Sequence, residues 1–239
     1  MKSIYILFLL FFFMTNRNCI NAQIKAGVIQ YERKIILSKR NNYGIMFTSD
    51  IEMPKFEINF YTLSFSDSTS VFNSNQNFDD QGYGLSTLAE YEMNSNTKAR
   101  KIIIKTMIET AYLSDTLPPI VWKITGNKRK IAGYNCRKAI WEKNDSTRIY
   151  AWFTEIIEPS IGPDGFSYLP GAILGLASED GSIVYFATSV EAKKMDENKL
   201  YIDFPKDKSI SSVSYREKNK KNTELEFILK QILADILWY

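Results

Sequence analysis

Histidine is absent from all 239 residues of this chain, and cysteine occurs only twice. Without histidine the chain cannot build Ser-His-Asp or Cys-His nucleophilic sites, nor a zinc site with imidazole ligands. A hard metal ion held by oxygen atoms is the remaining option, but no twelve-residue calcium loop of the EF-hand type is present. The sequence therefore predicts no metal site and no cofactor, and it leaves carboxylates as the acid/base groups for any catalysis.

A long transmembrane stretch is also missing. The apolar run at 4–14 follows the basic Lys2 and is about eleven residues long, too short to cross a bilayer but typical of a Sec-type signal peptide. Cleavage after Ala22 is expected to leave Gln23 as the new N-terminus. The polar residues before Cys19 disfavour lipid modification. We expect an exported protein that is periplasmic, associated with the outer membrane or secreted, with no transmembrane helix in the mature chain.

The charge balance excludes one class of partner. Thirty lysines and arginines stand against 27 aspartates and glutamates, a formal net charge of +3. Removal of Lys2 and Arg17 with the signal peptide lowers that charge by two, to +1. A chain this close to neutral lacks the electrostatic footprint of a nucleic-acid-binding protein.

Cys136 is the single cysteine that the mature chain retains, so an internal disulfide is excluded. The simplest interpretation is a small buried residue on a strand. The alternative is a reactive thiol or one linked to a partner. In that case five cations that are near it in sequence would also lie near it in space and lower its pKa: Lys128, Arg129, Lys130, Arg137 and Lys138.

Short segments rich in β-branched and aromatic residues recur along the chain, separated by Asn, Asp, Gly and Pro. No helical pattern of ten to fifteen residues alternates with them, which disfavours a doubly wound sheet. The pattern predicts one mainly β domain over 23–218, with an antiparallel, curved sheet or an open barrel-like fold. Strands are expected at 26–36, 55–65, 67–72, 87–94, 101–109, 120–124, 136–142, 148–154, 172–177 and 183–190, with a loop at 73–84.

The C-terminal segment 219–239 has a different pattern. After a basic hinge at 219–222, Thr223 and Glu226 fit a capping box, and apolar residues then recur at helical spacing. This predicts an amphipathic helix that is packed on the β domain or appended to it. The alternatives are a helix that docks on a partner protein and one that lies on a membrane. Three acids and one lysine on its polar face disfavour attraction to anionic lipid.

The most distinctive stretch is 152–181, WFTEIIEPSIGPDGFSYLPGAILGLASEDG. It predicts a turn-rich loop with a type II turn at 169–171, followed by a strand that is buried on both faces. One interpretation makes this loop a corner that defines the fold. The functional interpretation is that the loop lines a pocket, whose residues would be Trp152, Gly162, Pro163, Phe166, Tyr168, Leu169, Pro170 and Gly171.

Five carboxylates surround this loop and are the candidates for acid/base catalysis. Paired carboxylates can catalyse hydrolysis when burial separates their pKa values. A carboxylate-based hydrolase therefore requires at least two of them to converge in one cleft, with one buried. The candidates are Glu155, Glu158, Asp164, Glu179 and Asp180.

Several motifs resemble the GLPGLI family of secreted, Bacteroidetes-type proteins. The string that names this family reads Tyr168-Leu-Pro-Gly-Ala-Ile173 here, with departures from the family pattern at Tyr168, Ala172 and Gly175. Residues 122–139 resemble the family's W-x-x-T and G-Y-x-C-x-K-A region, and 27–31 its opening strand. The resemblance implies an exported protein of the cell envelope without an assigned activity.

These observations favour a non-enzymatic protein that binds a hydrophobic small molecule or an envelope protein. The aromatic residues of the central strands, such as Trp122, Trp141 and Tyr150, would then face an apolar cavity under the sheet. The alternatives are the carboxylate-based hydrolase and a structural envelope component that docks through its C-terminal helix.

Overall fold

The computed structural model describes residues 23–36, 55–75, 88–105, 110–144 and 147–220. Within them, eleven strands form one antiparallel sheet that is not closed, and a short helix follows the last strand. This architecture confirms the prediction of a mainly β, antiparallel fold with a C-terminal helix. The expected signal peptide at 1–22 and the expected amphipathic helix at 223–239 lie outside the described residues.

The elements follow one another with mostly short connections. They are β1 (Gly27–Ile36), β2 (Phe56–Phe65), β3 (Thr69–Ser74), β4 (Leu88–Asn94), β5 (Ala99–Lys105), β6 (Thr110–Thr116), β7 (Lys123–Ile131), β8 (Tyr134–Asn144), β9 (Thr147–Thr154), β10 (Ala172–Ser178), β11 (Ile183–Ala192) and the helix α1 (Ser212–Lys220). The sheet order is β6-β5-β4-β3-β2-β1-β11-β10-β9-β8-β7. The first and last strands therefore pair at its centre, and β6 and β7, consecutive in the chain, form its opposite edges.

The connection between these two edges forces the sheet to coil. Only residues 117–122 join β6 to β7. A chain of that length reaches at most about 25 Å, whereas a flat sheet of eleven strands would hold its outer strands about 48 Å apart. The sheet must therefore curve until its edges approach each other. We call its concave side the inner face.

Alternation along β1 shows how the sequence builds this inner face. Ile29, Tyr31, Arg33 and Ile35 are buried, whereas the residues between them are half-buried, as expected when successive side chains of a strand point to opposite faces. Aromatic rings extend the core across the neighbouring strands. The ring of Phe72 on β3 stacks on that of Tyr61 on β2, with 4.8 Å between the ring centroids. In β10, residues 172–177 are all buried, which confirms the prediction of a strand covered on both faces.

Two strands were not predicted, and both have weak patterns. β7 is exposed along most of its length, so it lacks apolar alternation and is held by its pairing with β8. The strand expected at 120–124 is wrong for residues 120–122, which belong to an irregular connection, and only 123–124 lie in β7. β6 buries only two of its residues, Ala111 and Leu113. The hinge expected at 219–222 is wrong for its first two residues, since α1 continues to Lys220.

Substitution of Gly171, which directly precedes β10, tests how tightly the chain is packed where the segment 155–171 joins that strand. Its φ is +131°, and a Cβ atom there would overlap the carbonyl oxygen of Thr154. We expect Gly171→Ala to lower the free energy of unfolding by about 2–4 kcal/mol, because both the backbone conformation and the contact become unfavourable. Urea denaturation followed by tryptophan fluorescence measures this change.

The control for this substitution is Gly126→Ala on β7. No atom lies within 4 Å of the Cβ position of Gly126, so this change should stay within about 0.5 kcal/mol of the wild type. Equal losses in the two variants would contradict the packing that the structure assigns to Gly171.

Candidate functional site

The distinctive loop, residues 155–171, packs against the inner face of the sheet. Its middle forms a short 3-10 turn at Pro163–Gly165, and Ile157, Ile161 and Phe166 are completely buried in the core. Because it fills the concave side, the loop belongs to the hydrophobic core of the domain. This placement supports the interpretation of the motif as a corner that defines the fold.

The turn at the end of the loop differs from the predicted type II turn. The N–H of Gly171 donates to the carbonyl of Leu169 at 2.8 Å, which closes a three-residue γ-turn around Pro170. The N–H of Ala172, which a type II turn would direct to Leu169, donates instead to Ile157 at 3.0 Å. The chain thus enters β10 with its backbone already bonded to the start of the loop.

Side chains and backbone at 167–168 fasten the loop to the connection between the outer strands. The indole of Trp122 donates to the carbonyl of Ser167 at 2.8 Å, and the hydroxyl of Tyr168 donates to the carbonyl of Leu117 at 2.8 Å. Lys98 donates to the hydroxyl of Ser167 at 2.8 Å. Tyr168 adopts a φ of +72°, a conformation that strongly favours glycine, the residue that the GLPGLI pattern has there.

The residues predicted to line a pocket are mostly core residues. Trp152 on β9 and Tyr168 are half-buried, and Pro170 is exposed. The others are buried, with their space already filled by neighbours: Gly162, Pro163, Phe166, Leu169 and Gly171. For Gly162, the nearest neighbours of a Cβ atom would be the side chain of Ile173 and the backbone of Phe166. These positions shape the loop and do not form an open site.

A group of buried polar side chains lies where the loop meets the central strands. The carboxyl of Asp164 accepts a hydrogen bond from the hydroxyl of Tyr185 on β11 at 2.6 Å. Arg33 on β1 donates to the side-chain oxygen of Asn59 on β2 at 2.8 and 3.1 Å, and Asn59 donates to Glu57 at 2.9 Å. Sequence reasoning missed Arg33, Asn59 and Tyr185, because strands that are far apart in the chain bring them together.

Burial dominates the electrostatics of this group. It raises the pKa of Asp164 to about 6, although the guanidinium of Arg33 and the hydrogen bond from Tyr185 act in the opposite direction. Burial also raises the pKa of Tyr61, whose ring lies 5.1 Å from the guanidinium carbon of Arg33. Arg33 remains charged, because the neighbouring phenols and Asp164 outweigh the lowering effect of burial on its pKa.

The other four candidate carboxylates are exposed, and each has its own partner. Their contacts are an ion pair between Glu155 and Arg137 at 2.9 Å, one between Glu158 and Lys25 at 3.4 Å, one between Glu179 and Arg148 at 2.9 Å, and hydrogen bonds to Asp180 from the backbone and hydroxyl of Ser182 at 2.9 and 2.8 Å. Asp164 is thus the one buried member of the five. These contacts place the four exposed acids in separate surroundings.

Cys136 lies fully buried on β8, and its thiol donates to the carbonyl of Tyr134 at 3.6 Å. Burial raises the pKa of the thiol to about 11, so the thiolate is disfavoured at neutral pH. This geometry matches the interpretation of Cys136 as a small buried strand residue.

An open groove lies at the β7–β8 hairpin, beside the point where the chain leaves β9. Its volume is about 640 Å³, within the usual range for small-molecule sites. The polar side chains of Lys128, Asn135 and Arg137 line it together with Phe153 and Glu155. Sequence reasoning missed this groove, because a register shift between residues 124 and 128 sets which side chains of β7 and β8 oppose each other.

Neither a metal-binding cluster nor a membrane-spanning helix occurs in the residues that the structure describes. No group of three or more Cys, Asp or Glu side chains in this part of the chain is arranged to hold a metal ion. The helices within the same residues are all too short or too polar to cross a membrane.

The comparisons with known proteins concern the fold. No protein-family model matches the chain, and no curated protein matches it. Two crystal forms of PNGF-II are similar to it in structure. The C2 form gives a TM-score of 0.54 at 19% sequence identity, covering 87% of this chain and 33% of PNGF-II. The P21 form gives 0.51 at 18% identity, covering 87% and 34%.

This chain therefore spans about a third of the length of PNGF-II, and at these identities the likeness shows the fold alone. An uncharacterized conserved protein from Thermus thermophilus aligns over 77% of this chain and 90% of its own length, with a TM-score of 0.39 at 7% identity. A score at that level supports no argument about this chain.

Proposed function

We propose that this chain is an exported, non-enzymatic binding protein of the GLPGLI type, and that it binds its ligand or partner in the groove at the β7–β8 hairpin. The observation that carries the proposal is the groove itself. It is open, about 640 Å³ in volume, and lined by polar, charged and aromatic side chains together. A concave site that combines aromatic and apolar side chains with a few polar groups is typical of small-molecule binding sites.

The inner face is the less favourable location for a ligand. The sequence predicted an apolar cavity there, but residues 155–171 occupy the space, and the aromatic side chains of the central strands pack against one another. Opening that space would expose the largest part of the hydrophobic core, at a cost far above that of filling an existing groove. The proposal therefore places binding at the hairpin.

Export is the second part of the proposal, and it rests on the sequence. A basic residue, an apolar run of signal-peptide length and a plausible cleavage point at Ala22 support it. The resemblance to the GLPGLI family supports the same compartment. A structural role through the C-terminal helix stays a prediction, since residues 223–239 lie outside the described residues.

Native mass spectrometry of the exported protein, purified gently from its own envelope fraction, tests the binding proposal. We expect the wild type to carry an additional small-molecule or protein mass. Asn135→Trp, which places a large side chain in the groove, should lose that mass, whereas Ser189→Trp on the exposed part of β11 should keep it. A wild type that shows its apo mass alone overturns the proposal, and so does a bound mass that survives Asn135→Trp.

Hydrolysis by carboxylates is the competing function, and the raised pKa of Asp164 is the observation in its favour. The surroundings of Asp164 favour a structural role instead. Its carboxyl accepts a hydrogen bond from a core tyrosine at 2.6 Å, and the other four candidate acids are exposed and have partners of their own. Asp164 therefore ties the loop to the central strands.

A structural Asp164 has a specific effect on stability. Its carboxyl has a pKa of about 6 in the fold, against an ordinary value of 3.8. The folded chain therefore binds the proton more tightly, and this group's contribution to the unfolding free energy decreases as the pH rises from about 4 to about 6. The decrease can reach about 3 kcal/mol. We expect the stability difference between the wild type and Asp164→Asn to decrease by a similar amount over that range.

Urea denaturation of both proteins between pH 4 and pH 7 measures this difference. The difference between wild type and variant is used, because other acids also titrate in the same range. Glu158→Gln, which neutralises an exposed carboxylate on the same loop, is the matched control. A difference for Asp164→Asn that is constant with pH, or that increases with it, would contradict the raised pKa.

A further inference from the structure

Lys128 and Arg137 oppose each other directly across the β7–β8 pair. The register places Lys128 opposite Arg137, and the same row continues to Phe153 on β9. Side chains directly opposite in antiparallel strands lie on one face with their Cβ atoms about 4.5–5.5 Å apart, and like charges there destabilise the sheet. The hairpin therefore holds two cations together at a cost to its own stability.

One carboxylate partly offsets these charges. Glu155 lies 2.9 Å from Arg137, but the two side chains are 55% and 48% exposed, and ion pairs at such exposure contribute little to stability. Lys128 has no ion pair within the described part of the chain. The surrounding sequence adds to the imbalance, since residues 123–144 hold seven basic residues and one acid.

Protection of an edge strand does not explain this arrangement. Lysines on an exposed edge such as β7 discourage unwanted pairing with other chains, and this accounts for Lys128. It does not account for Arg137, which lies on β8, a strand paired on both sides. Both cations line the groove, which is the structural feature that they have in common.

The rest of the groove indicates what accompanies the anionic group. The ring of Phe153 is fully buried and lies 5.8 Å from the guanidinium carbon of Arg137, whereas the half-buried Tyr134 borders the groove. Asn135 can donate and accept hydrogen bonds. A ligand with a flat or apolar body would therefore contact the ring of Tyr134, while its charged end reaches the two cations.

We propose that the groove binds a small ligand through a carboxylate or phosphate group held by Lys128 and Arg137, with the body of the ligand against Tyr134. This inference rests on the proposed binding function and assigns the chemical class of its ligand. On binding, the anionic group replaces Glu155 as the partner of Arg137 and neutralises Lys128. The like-charge pair then becomes favourable in the complex.

Titration of the exported protein with three probes of one shape tests this assignment by NMR chemical shifts. Benzoate carries a carboxylate, phenyl phosphate a phosphate, and benzyl alcohol no charge. We expect saturable shifts at the groove with one or both anions and an affinity at least about tenfold weaker for benzyl alcohol, as expected for loss of a charge-assisted hydrogen bond. The stronger of the two anions identifies the group that the site prefers.

Matched variants separate recognition from general charge. Lys128→Gln and Arg137→Gln should each weaken anion binding by about tenfold or more. Lys123→Gln, on the same strand but outside the groove, should change it by less than about twofold. Thermal unfolding is a second readout, and because Lys128→Gln relieves the repulsion, its midpoint should not fall below that of the wild type.

Three results would overturn the inference. The first is equal affinity for benzyl alcohol and the anions, and the second is a loss in Lys123→Gln as large as that in Lys128→Gln. The third is the absence of saturable binding for both small anions. None of these results removes a co-purified mass from the wild type, so failure of the ligand class is distinguishable from failure of the binding function.

Discussion

The short connection between β6 and β7 is the constraint on which the rest of the structure depends. Since residues 117–122 must join the two edges of an eleven-stranded sheet, the sheet coils and its inner face becomes a concave apolar surface. Residues 155–171 fill that surface, and they are anchored at both ends by the neighbouring strands β9 and β10. A short loop that connects two adjacent strands loses less chain entropy when it folds into the core than a long segment from a distant part of the sequence would lose.

A buried loop has polar groups that need partners, and here the partners also fix its position. The N–H groups of Ala172 and Ile173 at the start of β10 donate to the loop carbonyls of Ile157 and Ile161. Asp164 then connects it to the central strands through Tyr185, close to the charge of Arg33. Burying such charges costs free energy, so the arrangement contributes a single defined position of the loop more than it contributes stability.

The sequence predicted what depends on local pattern and missed what depends on distant contacts. The strand at 172–177 was readable because it contains no polar side chain, and the fold class followed from many such segments. β7 could not be predicted, since its exposed side chains show no alternation of apolar and polar residues. Nothing local distinguishes Asp164 from the four exposed acids, because contacts with β1 and β11 determine its burial. The groove could not be predicted from the sequence, because it depends on the register shift in β7.

If the groove binds as proposed, stability and recognition depend on different residues in this fold. Arg33 is a buried cation whose partners lie on neighbouring strands, and it contributes to the core. Lys128 and Arg137 oppose each other on an outlying hairpin, where a repulsive pair costs only about 0.2–1 kcal/mol. A sheet held together through its inner face can tolerate that cost. Protection of the edge strand accounts for Lys128 but not for Arg137, whereas the proposed binding of an anionic group accounts for both members of the pair.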